Sequence, residues 1–411
     1  MKKARLFHLF FLVVGISIGI FSTLCLKSFS FSIPSLLLIS PISLSISDNP
    51  SVIPLSSTNE TFNDRTNVST EDNLRAPPPP LIILSSPNET SNYTNNITSP
   101  TNFSIGNDST QSMSEDEELF TRASRVQGST GKESKAKVAF LFLARGPLPL
   151  APFWDGFFKG HDGLFSVYVH SHPSYNDSSS PVPKGSAFYR KRIPSKPVDR
   201  GSISMVDAER RLLANALLDS SNQRFVLVSE SCIPVFNFTT VYDYLMGANG
   251  SFLGTIEDPW KRSKWRYDRR MLPTVNVNQW RKGSQWFSIR RDIAGIVVSD
   301  KEFYRAFHDF CPALPCFSDE HYLQTLVNVL CPELNTKRAV TWCDWSLGGG
   351  HPRTFGRLDV NVELLERIRF GSECVYNGNV TNVCNLFARK FAPTALGPLL
   401  EIGPSALGFD L

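Results

Sequence analysis

Val138-Ala139-Phe140-Leu141-Phe142-Leu143 is a short, unbroken apolar run, the pattern of a buried strand. Leu164-Phe165-Ser166-Val167-Tyr168-Val169 and Arg224-Phe225-Val226-Leu227-Val228 repeat it downstream. Between these two, Ser204 is placed to cap a helix carrying Met205, Ala208, Leu212, Leu213, Ala216 and Leu217 at helical spacing. Strands alternating with helices predict an α/β domain with a largely parallel sheet. Such sheets bind ligands beyond the carboxyl ends of their strands, and His170 and Glu230 lie just past two of those ends.

The second half is less regular. Residues 238–246, 290–298 and 301–310 read as helices, as do 361–370. Ser318 reads as the cap of another, running through Tyr322, Leu323, Leu326, Val327 and Leu330. Residues 137–411 are enough for one large domain with a good core. Upstream, residues 27–136 are rich in Ser, Thr, Asn and Pro, with Pro77 to Pro80 in a row and an acidic Ser114-Glu115-Asp116-Glu117-Glu118. So little apolar surface cannot offset the entropy of ordering the chain, and the segment reads as a disordered, glycosylated stem.

Leu6 to Leu26 carries no charge and is mostly Leu, Phe, Val and Ile; a helix of roughly 20 apolar residues is what it takes to cross a bilayer. Lys2, Lys3 and Arg5, in a tail at 1–5, hold the N-terminus in the cytosol. A cleaved signal peptide competes, but its apolar region is typically about 7–15 residues, and here Lys27, Phe29 and Phe31 follow. The expectation is a single-pass transmembrane signal anchor at 6–26 with the rest of the chain across the membrane. Sequons at Asn59, Asn67, Asn88, Asn92, Asn96, Asn102 and Asn107 fit that side, and Asn176, Asn237, Asn249 and Asn379 are candidate glycosylation sites within the domain.

Cys25 lies in the anchor, whereas Cys232, Cys311, Cys316, Cys331, Cys343, Cys374 and Cys384 all fall in the second half. In an oxidising compartment most of these should be disulfides, and the odd number leaves one thiol free or bonded to another chain, as in a homo- or hetero-oligomer. No Cys/His quartet has zinc spacing. The formal charge of +4 is too small for nucleic acid to be the main partner.

The sharpest chemical feature is Phe317-Ser318-Asp319-Glu320-His321-Tyr322. If Ser318 is the cap, Asp319 and Glu320 occupy a first turn, where the helix dipole favours the ionised carboxylate a general base needs. Acids are common in first turns for structural reasons alone. Arg190, Lys191, Arg192, Lys196 and Arg200 form one basic cluster, for which a solvated loop is an equal reading. Lys261, Arg262, Lys264, Arg266, Arg269 and Arg270 form another, interleaved with Trp260, Trp265 and Tyr267, a mixture that suits sugars. Phe387-Ala388-Arg389-Lys390-Phe391 places two cations between aromatics, as snorkelling core-edge residues or as a diphosphate clamp. The domain has no Asp-x-Asp pair to hold a divalent metal, so Arg and Lys would have to neutralise a diphosphate leaving group.

These motifs together resemble a known family. Gly146-Pro147-Leu148-Pro149-Leu150-Ala151-Pro152, Val167-Tyr168-Val169-His170-Ser171, Asp207-Ala208-Glu209-Arg210-Arg211 and Ser229-Glu230-Ser231-Cys232-Ile233-Pro234 come first. Gln279-Trp280-Arg281-Lys282-Gly283-Ser284-Gln285-Trp286-Phe287, Asp319-Glu320-His321-Tyr322 and Thr341-Trp342-Cys343-Asp344-Trp345-Ser346 follow in order. They resemble the plant branch of the Core-2/I-branching β-1,6-N-acetylglucosaminyltransferase-like proteins, Golgi glycosyltransferases of the brittle-culm type. The resemblance implies a GT-A-like nucleotide-sugar transferase domain, type II in the Golgi membrane, that transfers a sugar (GlcNAc or GlcA) from a UDP-sugar with inversion and without a metal. It implies Glu320 as catalytic base; Val167, His170, Arg369, Arg389 and Lys390 on the donor; and Glu257, Lys261, Lys264, Trp342 and Asp344 toward a glycan or glycoprotein acceptor. The reading from another class is a non-catalytic glycan-binding or scaffold protein that keeps the fold.

Overall fold

Lys137–Ala144 forms β1, the central strand of the computed structural model, in which residues 114–126, 135–175, 181–256 and 263–409 are described. The anchor expected at 6–26 and the stem as far as residue 113 lie outside these residues. In the described chain, α1 (Glu115–Arg125) precedes β1, and α2 (Ala151–Phe158), β2 (Phe165–Ser171), α3 (Ile203–Leu217) and β3 (Asn222–Ser229) follow it. Next come β4 (Ile233–Pro234), α4 (Phe238–Gly247), β5 (Thr255–Ile256), β6 (Lys282–Gly283), β7 (Ser288–Arg290), α5 (Arg291–Ser299), α6 (Glu302–Phe310) and α7 (Tyr322–Leu330). The chain ends with β8 (Thr341–Cys343), α8 (Val362–Phe370), β9 (Cys374–Tyr376), β10 (Asn379–Thr381), β11 (Phe387–Arg389) and α9 (Leu396–Leu407).

The main sheet has the order β2-β1-β3-β7, with β2, β1 and β3 parallel and β7 antiparallel at one edge. Leu141 of β1 pairs with Tyr168 on one side and Leu227 on the other. Side chains alternate along a strand, and both faces of β1 are covered. Val138, Phe140 and Phe142 enter one core with α2, α4 and α8, whereas Ala139, Leu141 and Leu143 enter a second with α3, α5 and α7. That double burial is why the run is apolar without alternation. The first core is aromatic: Trp154 meets Phe142 edge-on at 5.1 Å and stacks on Phe158 at 5.7 Å, and its indole N–H donates to the Cys232 carbonyl at 3.0 Å. A smaller sheet, β4-β11-β8, continues beyond the end of β3 and carries Arg389 at the end of its central strand.

Four expectations change. The folded chain starts well before residue 137: Ser114 and Glu117 close a capping box, and α1 buries Ala123 against α3 and α5. The acidic composition hid an amphipathic helix in which Asp116 pairs with Lys196 and Arg211 and Glu117 closes the capping box. Ser202, not Ser204, caps α3, because the Ser204 hydroxyl is occupied by the Asp199 N–H at 2.9 Å. Ser318 is not a cap: Phe317 enters a 3-10 turn over Ser318–Glu320 with φ of 58°, and α7 begins only at Tyr322. Finally, Cys311–Cys316 and Cys374–Cys384 are bonded while Cys232, Cys331 and Cys343 are free thiols. Cys343 lies in β8 and Cys232 immediately before β4, the strands on opposite sides of β11.

The turn between Phe317 and α7 is anchored by His321, fully buried, stacked on Trp280 at 4.4 Å with Nδ1 at 2.8 Å from the Arg281 carbonyl. Because a carbonyl only accepts, Nδ1 carries the proton and donates. Burial lowers the imidazole from 6.5 to about 3, against the hydrogen bond to Arg281, so the ring is neutral.

Two outcomes follow. Trp154→Ala should lower the unfolding free energy by about 3–5 kcal/mol in denaturant titration, since it empties the middle of the aromatic core. The unfolded chain takes up a proton on His321 near pH 6.5 and the folded chain only near 3, so this residue's contribution to stability is complete above about 6.5 and declines as pH falls toward 3. Between pH 7 and 5 the wild-type protein should therefore lose roughly 2 kcal/mol more than His321→Asn, measured by the same titration.

Candidate active site

The Ser318–Glu320 turn is short and rigidly placed. Cys311–Cys316 closes the loop before it, the Phe317 ring packs against Gly201, and Arg266 lies over that ring at 4.5 Å. Glu320 is thereby presented between two cations, with Oε2 at 3.1 Å from Arg266 Nη1 and 3.3 Å from Lys282 Nζ. Its side chain stays 32% exposed, so a substrate hydroxyl can still reach the carboxylate. Orientation comes from salt bridges rather than from a helix first turn. The neighbouring Asp319 is buried, which together with the Glu320 charge raises it to about 6, although Arg200 and Arg266 pull the other way. Glu209 of α3 faces the same turn; burial pushes its carboxyl well up, and it accepts from Gln285 Nε2 at 2.8 Å.

A second group of side chains gathers where β1, β3 and β11 end. Lys390 is lowered first by burial and then by the charges of Arg389, Arg200 and Arg145, with Glu230 acting in the opposite direction. The exposed His351 is lowered by Arg200 and Lys390 and then by Arg145 and Arg389. The same cations thus act on both residues. Arg389 stacks over the Trp286 ring at 4.0 Å, which fixes its guanidinium plane without neutralising it. Arg200 Nη1 lies 2.9 Å from His351 Nε2, and Nη2 donates to the Gly350 carbonyl at 3.4 Å. An excess of cations at the carboxyl ends of parallel strands is a site for a polyanion. Arg200 acts on Asp319 as well as on Lys390, so this one cation lies near both the carboxylate turn and the cation group.

The expected residues distribute unevenly over this space. Arg389 and Lys390 are in the cation group. Val167 and His170 lie in β2 itself, both buried: Val167 in the aromatic core, and His170 with Nε2 accepting from the Lys196 N–H at 3.4 Å and its imidazole lowered by burial to about 4. Arg369 is elsewhere. It sits on α8 with Nη1 donating to the Ala406 carbonyl at 2.5 Å and its guanidinium over Phe236 and Phe370.

On the acceptor side, Trp342 belongs to β8 and packs on Phe355 at 5.8 Å. Asp344 accepts from the Ser346 N–H at 2.9 Å, and hydrogen bonding to Ser346 holds its carboxyl low. Lys264 is in a 3-10 turn two residues before Arg266, while Glu257 and Lys261 lie outside the described residues. Asn249 and Asn379 are exposed, whereas Asn237 is the cap of α4 and accepts from the Thr240 N–H at 2.9 Å; Asn176 is outside the described residues.

Arg145, Arg200, Arg266 and Lys282 join the site without a motif of their own; Arg200 and Arg266 stand out in the sequence only as members of basic clusters. Nothing in a linear reading tells which of those cations turns inward.

The sequence model for the Core-2/I-branching enzyme matches residues 138–369, from the second residue of β1 to the end of α8. The chain is also 38% identical over 310 residues to a rice protein, Glycosyltransferase BC10 of Oryza sativa subsp. japonica, covering 65% of this chain and 76% of that protein. The family match spans the main sheet and the turn holding Glu320 and ends before Arg389 and Lys390, and the chain belongs to the Core-2/I-branching enzyme family of glycosyltransferases.

Proposed function

We propose that this glycosyltransferase is a type II Golgi membrane protein with a GT-A-like lumenal domain, transferring GlcNAc or GlcA from a UDP-sugar to a glycan or glycoprotein acceptor, with inversion and without a divalent metal. The observation that carries the reading is Glu320 held between Arg266 and Lys282 beside Asp319, which feels the charge of Arg200, one of the cations that also act on Lys390.

In this mechanism Glu320 takes the proton of the acceptor hydroxyl as its oxygen attacks the anomeric carbon, while the bond to the diphosphate breaks on the opposite side. The developing charge on the departing UDP is met by Lys390, Arg389 and Arg200. Fixed cations already aligned for the leaving group need no reorganisation during the reaction, and they supply the neutralisation that an Asp-x-Asp-bound metal gives elsewhere. Arg266 and Lys282 orient the base and keep its second oxygen free for the incoming hydroxyl. The plant brittle-culm resemblance suggests cell-wall polysaccharide or arabinogalactan-protein synthesis as the setting.

The first test is Glu320→Gln in the full-length protein, with a donor screen across UDP-GlcNAc, UDP-GlcA, UDP-Gal and UDP-Xyl. Transfer should fall by about 10²–10⁴-fold with UDP affinity retained, and a wild-type rate would remove Glu320 from the role of base. The second is Arg389→Ala combined with Lys390→Ala. It should weaken UDP-sugar binding at least about tenfold, roughly the loss of one charge-assisted contact, while a chelator leaves the wild-type rate unchanged. A chelator-sensitive rate restored by a divalent ion would show that these cations do not carry the leaving group alone.

A further inference from the structure

We propose that Asp116 of α1 is a positioning residue for the donor site, clamping the segment that carries Arg200. The inference rests on the reading of the cation group as the diphosphate site.

Helix α1 is built to hold this carboxylate in place. The capping box fixes its first turn, with the Glu117 N–H on Ser114 Oγ at 3.3 Å and the Ser114 N–H on Glu117 Oε2 at 3.2 Å. Its other end is held by Arg291, which donates to the Val126 carbonyl at 3.0 Å. Between them, Phe120 lies under the Arg210 guanidinium at 4.7 Å and Ala123 is buried.

From that platform Asp116 reaches two cations on different elements. Arg211 of α3 donates from Nε to Oδ1 at 3.0 Å and from Nη2 to Oδ2 at 3.0 Å, a bidentate pair, and Lys196 Nζ donates to Oδ2 at 2.7 Å. The Arg211 side chain is only 7% exposed, and Asp116 is its one carboxylate partner among the described residues. Removing a carboxylate from a guanidinium so deeply placed leaves an uncompensated charge. Burial raises the Asp116 carboxyl, but hydrogen bonds from Arg211 and Lys196 outweigh this and hold it low.

Lys196 is the link to the site. Its backbone N–H donates to His170 at the end of β2, so the residue sits against the sheet where ligands bind. Arg200 is four positions on, with Pro197 stiffening the connection. The segment is therefore fixed by backbone pairing of Ile193 with Val169 at one end and by α3 at the other, with the Asp116–Lys196 pair holding its middle. Loosening that pair frees the stretch that delivers Arg200 to His351 and to the leaving group. A helix read from sequence as stem is thus part of the donor site's support.

The test uses the full-length chain as wild type, Asp116→Asn, Asp116→Glu and Lys196→Met, with UDP as the binding probe. Hydrogen exchange is followed over residues 194–202. Asp116→Asn and Lys196→Met should exchange faster there and bind UDP roughly tenfold more weakly, while Asp116→Glu stays within about twofold of wild type. Lys196→Met leaves the Arg211 pair intact, so it reports on the segment even if Asp116→Asn folds poorly. Lower thermal stability with unchanged UDP affinity would make Asp116 merely structural and overturn the proposal. If the wild-type protein binds no UDP, the donor reading itself fails, and the clamp then stands or falls on exchange at 194–202.

Discussion

Everything in this domain depends on β1 being buried on both faces. A strand with helices above and below has no side chain left for solvent, so its chemistry can only be placed at its end. Its own carboxyl end leads to Arg145, and those of its parallel neighbours β2 and β3 deliver His170 and Glu230. The second, smaller sheet extends this edge and adds Arg389 and Lys390 from a part of the chain more than two hundred residues away. The site is thus a meeting of strand ends and of the loops that leave them.

The charges at that meeting are sorted by who neutralises them. Arg266 and Lys282 are satisfied by Glu320, and Arg210 by backbone carbonyls at 297, 298 and 300. Lys390, Arg389, Arg200 and Arg145 remain in one region with Glu230 as the opposing charge. This sorting, rather than the overall balance of +4, indicates an anionic ligand.

The parallel sheet was legible because continuous burial leaves a signature in sequence, and the strands at 138–143, 164–169 and 224–228 were found within one or two residues at most ends. Helix positions in the second half were also close, since amphipathic spacing carries them. Local capping was less legible. Ser202 and Ser204 are both plausible caps, and only the hydrogen bond from Asp199 decides between them. The turn holding Glu320 depends on Phe317 and the Cys311–Cys316 bond, neither of which a helix-start pattern reveals. Helix α1 was hidden because its acids looked solvated, although Asp116 pairs with residues eighty or more positions away. The resemblance names Arg369 together with Glu320, Arg389 and Lys390, and in the fold the Arg369 guanidinium packs between α8 and α9.

Phe317 illustrates what this arrangement asks of evolution. A left-handed backbone is cheapest for glycine, and a glycine at this position would relieve local strain. It would also delete the ring that supports Arg266 and covers Gly201, and Arg266 is one of the two hands on Glu320. The residue best suited to the backbone is therefore not the one best suited to the site. Selection for stability alone and selection for activity would pull this position in opposite directions.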